Sequence, residues 1–426
     1  MRTRFSISFS LLAAGALAGA GQAAVVPGFV VAKQGDAVSG STISSLNTPF
    51  TDGNGVVSFV AGLADNNRIV WKGAGPIFNS SSALPDVLTG GESTMGSGNA
   101  GQFIYSPSFN GADAVYTNGG KLLADDDPIP GHPGLFSAFN SRPQMGPDGT
   151  AYWVGGYATA VGGSTVGRMM LRATDPTDPG TIQVLNQTGD TLDGFNIGTT
   201  GVGFDYQFSD NAAHRIQTFI LETGSTAHDD FVYVDGVMVA REDSPTGQGD
   251  DWDNFDNMSI NNAGNYIFTG DTDGASGSDE FIAYNGAIVL REGATVDGRL
   301  LGASLNGAAI NDNDDMVFIW NTDLTESLFF GPAADPSMSI ALLSVGDELD
   351  LDGDTIGDWL VTDFNPSNVI GPGLDLAEDG YVYVEVDIQP IDGGASIEAV
   401  IRLVVPEPST LSLLALAALT LCRRRR

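Results

Sequence analysis

A turn-then-strand pattern recurs along this chain, and it limits the possible folds more than any other feature of the sequence. In its best copy, residues 260–268, Asn261 is followed three positions later by Gly264, and the apolar pair Ile267 and Phe268 comes next. Asn caps a turn through its side-chain oxygen, and Gly accepts a positive φ without steric cost. One such unit cannot bury its own apolar face, so the pattern predicts units that stack on one another.

Seven copies of the pattern are identified. Their first and fourth residues are Asp52 and Gly55, Asn110 and Asp113, Gly146 and Gly149, Asn211 and His214, Asn261 and Gly264, Asn311 and Asp314, and Ala377 and Gly380. The mean spacing of the fourth residues is about 54, which is typical of a propeller or another repeat array. The interval between positions 113 and 149 is only 36 residues. Because this is short for a four-stranded blade, six units are an alternative to seven.

A second recurrent feature precedes each copy of the first. It is a short acidic or glycine-containing turn that ends a strand. Its seven occurrences are Gly35-Asp36, Gly91-Glu92, Asp126-Asp127, Gly189-Asp190, Glu242-Asp243, Glu292-Gly293 and Gly346-Asp347. Two independent features with the same count indicate the same number of structural units.

Composition and hairpin motifs favour an all-β protein. The chain contains 56 Gly and 20 Pro, and it has no long amphipathic helical pattern. Residues 231–240 and 281–290 are predicted hairpins with Asp-Gly and Asn-Gly turns. The strands at 28–33 and 397–405 each lack a partner, so we expect them to complete one blade together and to close a ring. The predicted fold is therefore a β-propeller with seven blades, or six, between a helical signal peptide and a C-terminal helix.

Net charge excludes some classes of partner. The formal charge is −35, and such a surface repels nucleic acid and anionic lipid. The only cysteine is Cys422, which lies in the C-terminal tail. The predicted mature domain therefore has no disulfide, and its stability must come from its core.

The N-terminal residues have the composition of a secretory signal peptide. Residues 1–4 are basic, residues 5–20 are apolar, and small residues follow at 18–23. The predicted division of the chain is a signal peptide at 1–24, a repeat domain at 25–404 and a tail at 405–426.

The tail combines three elements. Pro406, Glu407 and Pro408 come first, an apolar run of 14 residues or fewer follows, and four arginines end the chain. This combination resembles the PEP-CTERM sorting signal of bacterial surface proteins. The resemblance implies an exosortase-type processing enzyme as partner, recognition through those three residues, and membrane contact through the C-terminal helix. The run is short for a stable span, which needs about 20 residues. The tail could thus be a lasting anchor or a transient signal.

The repeat itself resembles the NxxGxxAF tandem-repeat proteins, most closely at Asn261-x-x-Gly264. Ile267 stands where that family has Ala. The resemblance implies a repeat fold and says little about activity.

Two acidic stretches are candidate calcium sites. Their carboxylates are Asp350, Asp352, Asp354 and Asp358 in one stretch, and Asp271 and Asp273 in the other. Oxygen ligands at alternate positions around a Gly turn suit Ca²⁺. The spacing differs from that of an EF-hand, because Gly353 comes early and no Glu closes the loop. A solvated acidic turn is the alternative interpretation.

Candidates for catalysis are weaker. Asp250, Asp251, Asp253 and Asp256 surround Trp252 and Phe255. Carboxylates beside aromatic residues occur in glycosidases, although a polar loop with two inward aromatic residues would have the same sequence. The three histidines, His132, His214 and His228, fit no triad or zinc pattern.

Three functions follow from these observations. The first is an exported, surface-sorted, non-catalytic propeller that binds or scaffolds, with an extracellular polysaccharide as possible ligand. The second is a glycan-active hydrolase or lyase, and the third is a surface protein stiffened by Ca²⁺. Ligands of propellers enter at one end of the axis. The irregular loops 83–101, 125–133 and 243–255 are the parts predicted to line that end.

Overall fold

The computed structural model describes residues 25–82, 88–99, 101–109, 111–198, 204–364 and 374–405. These residues form an all-β structure, which confirms the predicted fold class. No α-helix occurs within them. Three single 3₁₀ turns are present, at Ser80–Ser82, Pro179–Thr181 and Pro336–Met338. The predicted signal peptide at 1–24 lies outside the described residues.

The strands of the first half of the chain are short and regularly spaced. Their bounds are β1 Val25–Lys33, β2 Ala37–Val38, β3 Ser41–Leu46, β4 Phe50–Thr51, β5 Val57–Leu63, β6 Arg68–Lys72, β7 Gly75–Asn79, β8 Leu88–Ser97, β9 Phe103–Phe109, β10 Ala112–Thr117, β11 Gly120–Ala124, β12 Leu135–Met145, β13 Ala151–Ala158, β14 Gly167–Ala173, β15 Ile182–Gln187, β16 Thr191–Leu192 and β17 Phe195–Asn196.

The second half continues in the same way. Its strands are β18 Tyr206–Phe208, β19 Arg215–Ile220, β20 Asp230–Val234, β21 Val237–Arg241, β22 Met258–Ile260, β23 Tyr266–Gly270, β24 Phe281–Tyr284, β25 Ala287–Arg291, β26 Thr295–Val296, β27 Arg299–Ile310, β28 Asp315–Thr322, β29 Ser327–Pro332, β30 Ile340–Ser344, β31 Glu348–Asp350, β32 Trp359–Phe364, β33 Leu374–Leu376, β34 Tyr381–Pro390 and β35 Ile397–Val404.

The strands assemble into sheets that follow one another along the chain. We name them sheet I (β2–β7), II (β8–β11), III (β12–β15), IV (β18–β21), V (β22–β25), VI (β26–β30) and VII (β1 with β31–β35). Strands β16 and β17 form a separate hairpin. Within sheets I–VI each neighbouring pair is antiparallel, as expected where successive strands are joined by short turns.

The sheets are arranged in a closed ring. The inner strands contact one another in the order β4, β8, β12, β18, β22, β27 and β33, and β33 contacts β4 again. Such a ring of sheets is the architecture of a β-propeller. Sheets II and VII border residues outside the described ranges and the sheets differ in size, so the choice of seven blades rather than six stays a prediction.

The two ends of the described chain pair with each other, as predicted. Strand β1 runs antiparallel to β35, with Gly28 opposite Leu403 and Lys33 opposite Ala399. The seam between sheets VII and I is apolar. There Phe59 of sheet I packs in one cluster with Tyr383 of sheet VII. Pairing of the ends thus removes the open edges that a linear array of sheets would have.

Sheet VII is larger than the four-stranded blade predicted from the sequence. Strand β31 runs parallel to β1, and β32 pairs with both β31 and β34. Strands β34, β35, β1, β31 and β32 therefore form a closed circle around apolar side chains that include Leu349, Val361 and Ile401. The parallel pair joins segments more than 300 residues apart, and such pairing has no local sequence pattern.

Most predicted turns are present. Asp235 and Gly236 have φ values of 51° and 81°, as a two-residue type I′ hairpin requires. The acidic or glycine turns follow the outer strands in six of seven places. The exception is Gly91-Glu92, which lies within strand β8. This prediction was wrong because a Gly-Glu pair inside a strand resembles a turn in composition alone.

Candidate functional site at the axial opening

Seven equivalent turns join the first and second main strands of the sheets. In each, the backbone N–H of the fourth residue donates to the carbonyl oxygen of the first at 2.7–3.2 Å. The pairs of first and fourth residues are Asp52 and Gly55, Gly98 and Gly101, Gly146 and Gly149, Ser209 and Ala212, Asn261 and Gly264, Asn311 and Asp314, and Ala377 and Gly380. Every fourth residue has a φ between 56° and 85°, the region that favours Gly. This is the physical basis of the repeat.

Two of the predicted copies were wrong. The turn of sheet II is Gly98–Gly101 rather than Asn110–Asp113, and the turn of sheet IV is Ser209–Ala212 rather than Asn211–His214. The short interval of 36 residues therefore becomes 149 − 101 = 48. Sequence reasoning missed both turns because a nearby Asn, at position 110 or 211, matches the first position of the pattern better than Gly98 or Ser209 does.

Side-chain caps explain why the best copies are recognisable. Asn261 Oδ1 accepts hydrogen bonds from the backbone N–H groups of Ala263 at 3.1 Å and Asn265 at 3.0 Å. Asp52 and Asn311 each accept the same two bonds in their own turns. An Asn or Asp at the first position thus satisfies backbone donors that the turn leaves without carbonyl partners.

Hydrogen bonds also link successive turns around the ring. The backbone N–H of Asn211 donates to Asn262 Oδ1 at 2.7 Å, and that of Asn262 donates to Asp312 Oδ1 at 2.7 Å. The N–H of Asp312 donates to Glu378 Oε1 at 2.8 Å. Sheets IV to VII are therefore connected by one repeated polar contact at this end of the molecule.

The turns surround a cavity of about 60 Å³ at the centre of the ring. We call it the axial opening. All seven sheets contribute to its lining, through Asp52, Ser97, Gln144, Asp210, Asn261, Asp312 and Glu378. Among the described residues of the loops predicted to line it, Met95, Gly96, Ser97 and Asn99 do so, whereas 125–133 and 243–255 do not. The turns, rather than the irregular loops, build the site.

Most of the charge in the axial opening is negative. Asp210, Asp312, Asp375 and Glu378 line it. Asp52 lines it as well, but Lys72 neutralises its charge. The Lys72 Nζ group forms an ion pair with Asp52 and donates to Gly98 O at 3.0 Å. Both partners belong to sheet I and are buried, and the hydrogen bond from Lys72 to Gly98 links the pair to sheet II.

Two carboxyl groups of the axial opening have pKa values raised to about 7. Asp210 is exposed toward the cavity but lies deep within the ring of sheets. Burial, and then the charges of Asp375 and Glu378, raise the pKa of Asp210 to about 7. Burial also raises the pKa of Glu378 to about 7, helped by the charges of Asp312 and Asp375. The opening is therefore more negative above pH 7 than below it.

Strand pairing at the seam positions one further carboxylate. Asp375 Oδ2 accepts hydrogen bonds from Thr51 N at 2.5 Å and from Thr51 Oγ1 at 3.0 Å. Thr51 belongs to sheet I and Asp375 to sheet VII. The first and last sheets of the ring thus meet through this bond at the edge of the axial opening.

The aspartates predicted for acid–base chemistry do not line the opening. Asp250 forms an ion pair with Arg291 at 2.8 Å. Trp252 is buried and packs edge-on against Phe281, with ring centroids 4.9 Å apart. This stretch is a structural loop with an inward aromatic residue, which was the alternative interpretation of its sequence.

The three histidines also lie outside the lining. His214 contacts Asp235 at 2.8 Å, and His228 contacts Asp243 at 3.1 Å. The ring of His132 packs edge-on against Tyr157, 4.7 Å away, and its Nδ1 accepts from Gly134 N. No hydroxyl or thiol nucleophile hydrogen-bonds to these rings among the described contacts.

One of the two predicted metal stretches brings carboxylates together. Asp350, Asp352 and Asp358 each present an oxygen within 4.8 Å of the others, at the end of β31 and in the loop that joins it to β32. Burial, and then the charges of Asp352, Asp354 and Asp350, raise the pKa of Asp358. Asp354 lies outside the group and accepts from Ile356 N at 2.8 Å. Clustered oxygen ligands of this kind are compatible with Ca²⁺.

The other stretch does not form such a group within the described residues. Asp271 Oδ2 accepts from Asn254 Nδ2 at 2.9 Å, and Asp273 Oδ1 accepts from Asp251 N at 2.8 Å. Both carboxylates therefore serve local hydrogen bonds. The sequence pattern could not separate these two stretches, because composition is similar in both.

The sorting motif at Pro406, Glu407 and Pro408 and the predicted C-terminal helix lie outside the described residues. Within the described ranges no helix has the length and apolar character needed to cross a membrane.

Comparison with known families identifies the tail. The PEP-CTERM protein-sorting motif matches residues 404–426. The protein is therefore exported and sorted to the cell surface, with an exosortase as the enzyme that recognises the motif. No curated protein sequence matches the chain.

Several solved structures resemble the chain at low identity. Prolyl oligopeptidase B from Galerina marginata matches with a TM-score of 0.44 and 10% identity, over 86% of this chain and 52% of that protein. The chain thus spans about half the length of that enzyme. A protein of unknown function from Dyadobacter fermentans matches with a TM-score of 0.36 and 13% identity, over 89% of this chain and 97% of that protein. Polysaccharide lyase Uly1 matches with a TM-score of 0.29 and 9% identity, over 86% of this chain and 78% of that protein. Similarity at this level leaves the activity of the chain open.

Proposed function

We propose that this protein is a non-catalytic binding protein of the cell surface that takes its ligand at the axial opening. The observation that supports this most directly is the lining of one cavity by all seven sheets. Each sheet contributes through the turn that the sequence repeats, so the repeat builds the site as well as the fold. In a propeller, the axial end is the usual place for a ligand.

The charge of the opening limits the ligand. Asp210, Asp312 and Glu378 would repel an anionic group and attract a cationic or hydroxyl-bearing one. A cavity of about 60 Å³ holds roughly four waters at ~15 Å³ each. It is therefore large enough for a hydroxyl or amine substituent of a sugar. We propose an extracellular polysaccharide as ligand, lying across the rim with a hydroxyl or amine substituent in the opening.

The test is calorimetric titration with soluble polysaccharides of three kinds: neutral, amine-bearing and uronate-bearing. We expect binding of a neutral or amine-bearing polymer, and at least tenfold weaker binding to Asp210→Asn/Asp312→Asn. Asp335→Asn is the matched control, because Asp335 is an exposed aspartate outside the opening. Binding that is confined to uronate-bearing polymers, or that survives the double substitution, would contradict the proposal.

The pH dependence of binding gives an independent check. The pKa values of Asp210 and Glu378 are raised to about 7, so both groups lose protons as the pH rises through neutrality. Affinity for an amine-bearing ligand should therefore increase between pH 6 and pH 8. In Asp210→Asn/Glu378→Gln this increase should largely disappear.

A second candidate function is hydrolysis of a glycan at the same opening. The observation that favours it is the pair of carboxyl groups with pKa values of about 7, since a general acid needs such a pKa to be protonated at neutral pH. Release of reducing ends from a bound polysaccharide would support hydrolysis. Binding without release over a day would support the non-catalytic function.

We further propose that the tail attaches the protein to the membrane, at least until it is processed. Mass spectrometry of the C-terminus of the surface protein tests this proposal. Recovery of a chain that ends near Pro408 would indicate transient attachment, and recovery of Arg426 would indicate a lasting one.

A further inference from the structure

The described chain ends at the same end of the propeller as the axial opening. The backbone N–H of Val405 donates to the carbonyl oxygen of Gly380 at 3.1 Å. Gly380 closes the turn of sheet VII, and Glu378 in the same turn lines the opening. Pro406 follows Val405 directly. The sorting motif therefore begins beside this turn.

Chain length keeps the motif close to the domain surface. Pro408 is three residues beyond Val405, and an extended chain spans at most about 3.6 Å per residue. The whole motif thus lies within roughly 11 Å of Val405. An enzyme that binds Pro406, Glu407 and Pro408 must also approach the surface of sheet VII.

That surface carries an exposed apolar patch with one cation. Phe29 is 50% exposed and Val404 is 57% exposed. The Arg402 guanidinium lies 4.9 Å from the ring centroid of Phe29 and 4.4 Å from that of Tyr381. Arg402 is paired directly with Phe29, and Val404 with Tyr381, across adjacent strands. Side chains that are paired in this way lie on one face of a sheet. We call Phe29, Tyr381, Arg402 and Val404 the exit patch.

We propose that the exit patch is a docking surface for the enzyme that processes the sorting motif. The enzyme would contact the folded domain in addition to the tail. The partner's surface would be apolar, with a carboxylate or carbonyl group opposite Arg402. The proposal rests on the sorting motif and not on the ligand of the axial opening. None of the four residues lines that opening.

Docking at this place would make processing depend on a closed ring. Phe29 belongs to the first strand of the domain, and Arg402 and Val404 belong to the last. They meet only when β1 has paired with β35. An enzyme that needs the whole patch would therefore process closed chains faster than chains in which the ends are still apart.

The experiment is expression of the full chain in a host with its exosortase, followed by a pulse-chase measurement of tail removal. We expect Phe29→Thr and Phe29→Thr/Val404→Thr to be processed at least fivefold more slowly than the wild type, and Phe29 lies outside the residues 404–426 that match the sorting motif. Thr preserves β-propensity at these exposed strand positions. Val237→Thr is the matched control. Val237 is 65% exposed on β21 in sheet IV, with sheets V and VI between it and the exit patch.

Folding and ligand binding are measured on the same proteins. The melting temperature of Phe29→Thr should be close to that of Val237→Thr, which separates loss of docking from loss of folding. If the double variant is less stable, Phe29→Thr decides the result. Processing of Phe29→Thr at the wild-type rate, while Glu407→Ala blocks it, would overturn the proposal. Polysaccharide binding should be unchanged in Phe29→Thr, so failure of one proposal is distinguishable from failure of the other.

Discussion

The backbone N–H of Asp312 donates a hydrogen bond of 2.8 Å to Glu378 Oε1, which lies 66 residues further along the chain. The bond joins the turns of sheets VI and VII, and it holds two carboxylates of the axial opening beside each other. The acidic character of the opening and the connection of the ring at this end therefore depend on the same side chains.

Removal of this acceptor should weaken the ring. Glu378→Ala leaves the Asp312 N–H without its partner, and we expect the free energy of unfolding to fall by about 1 kcal/mol. Glu378→Gln keeps a carbonyl oxygen at the same place, so its effect should be smaller. Urea denaturation of both variants measures the difference. Equal loss in the two variants would show that the bond contributes little.

The buried cap of the best repeat copy should matter more. Asn261 is 3% exposed; its Oδ1 accepts two backbone N–H bonds and its Nδ2 donates to Asn311 O at 2.9 Å. Asn261→Ala leaves several buried groups without partners, so we expect a loss of about 2–3 kcal/mol. Asn313→Ala is the control. Asn313 is an exposed turn residue that takes part in the turn only through its backbone, and its substitution should cost less than about 0.5 kcal/mol.

The buried ion pair of sheet I, which also contacts sheet II through Gly98, should be costly to break. Lys72→Met leaves Asp52, whose side chain is fully buried, without its cation. We expect a loss of about 3–5 kcal/mol, because an unpaired buried charge is strongly destabilising. Asp52→Asn in the same background removes the charge but keeps the Oδ1 acceptor of the turn. It should recover part of the loss, and a double variant no more stable than Lys72→Met would contradict this explanation.

A buried carboxyl group in sheet VII should make stability depend on pH. Burial, and then the charges of Glu398 and Asp387, raise the pKa of Glu385 to about 9. Because the folded state holds this proton more tightly than the unfolded state, Glu385 lowers stability as the pH rises from about 4.5 toward 9. The melting temperature of the wild type should fall as the pH is raised from 5 to 7 and to 8.5. The melting temperature of Glu385→Gln should fall less over the same range. If the two proteins lose the same number of degrees, Glu385 is not the cause.

Calcium should stabilise the loop between β31 and β32 if the carboxylates there hold the ion. We expect millimolar Ca²⁺ to raise the melting temperature of the wild type and EDTA to reverse the effect. Asp352→Asn and Asp358→Asn should abolish the response, because each removes one of the three clustered carboxylates. Asp273→Asn is the control from the other predicted stretch. If neither Ca²⁺ nor EDTA changes the melting temperature, the hypothesis of a surface protein stiffened by Ca²⁺ is excluded.

The sequence by itself determined the local units of this protein. Asn or Asp at the start of a turn and Gly at its fourth position act over four residues, so Asn261 with Gly264 and Asp52 with Gly55 could be identified without a structure. The pairing of the two ends also followed, because each end lacked a partner of its own. The turns that begin at Gly98 and Ser209 were not found, because Asn110 and Asn211 match the pattern better than the true first residues do.

Only the tertiary structure decided what those turns surround. Asp210, Asp312 and Glu378 each occupy the second position of a repeated turn, but only the closed ring brings these equivalent positions of three repeats to one axis. The parallel pairing of β1 with β31 was beyond sequence reasoning for the same reason, and the sequence could not decide which of the two acidic stretches brings its carboxylates together. Contacts between distant segments depend on how the sheets pack, whereas turns depend on the φ preferences and hydrogen bonds of a few neighbouring residues.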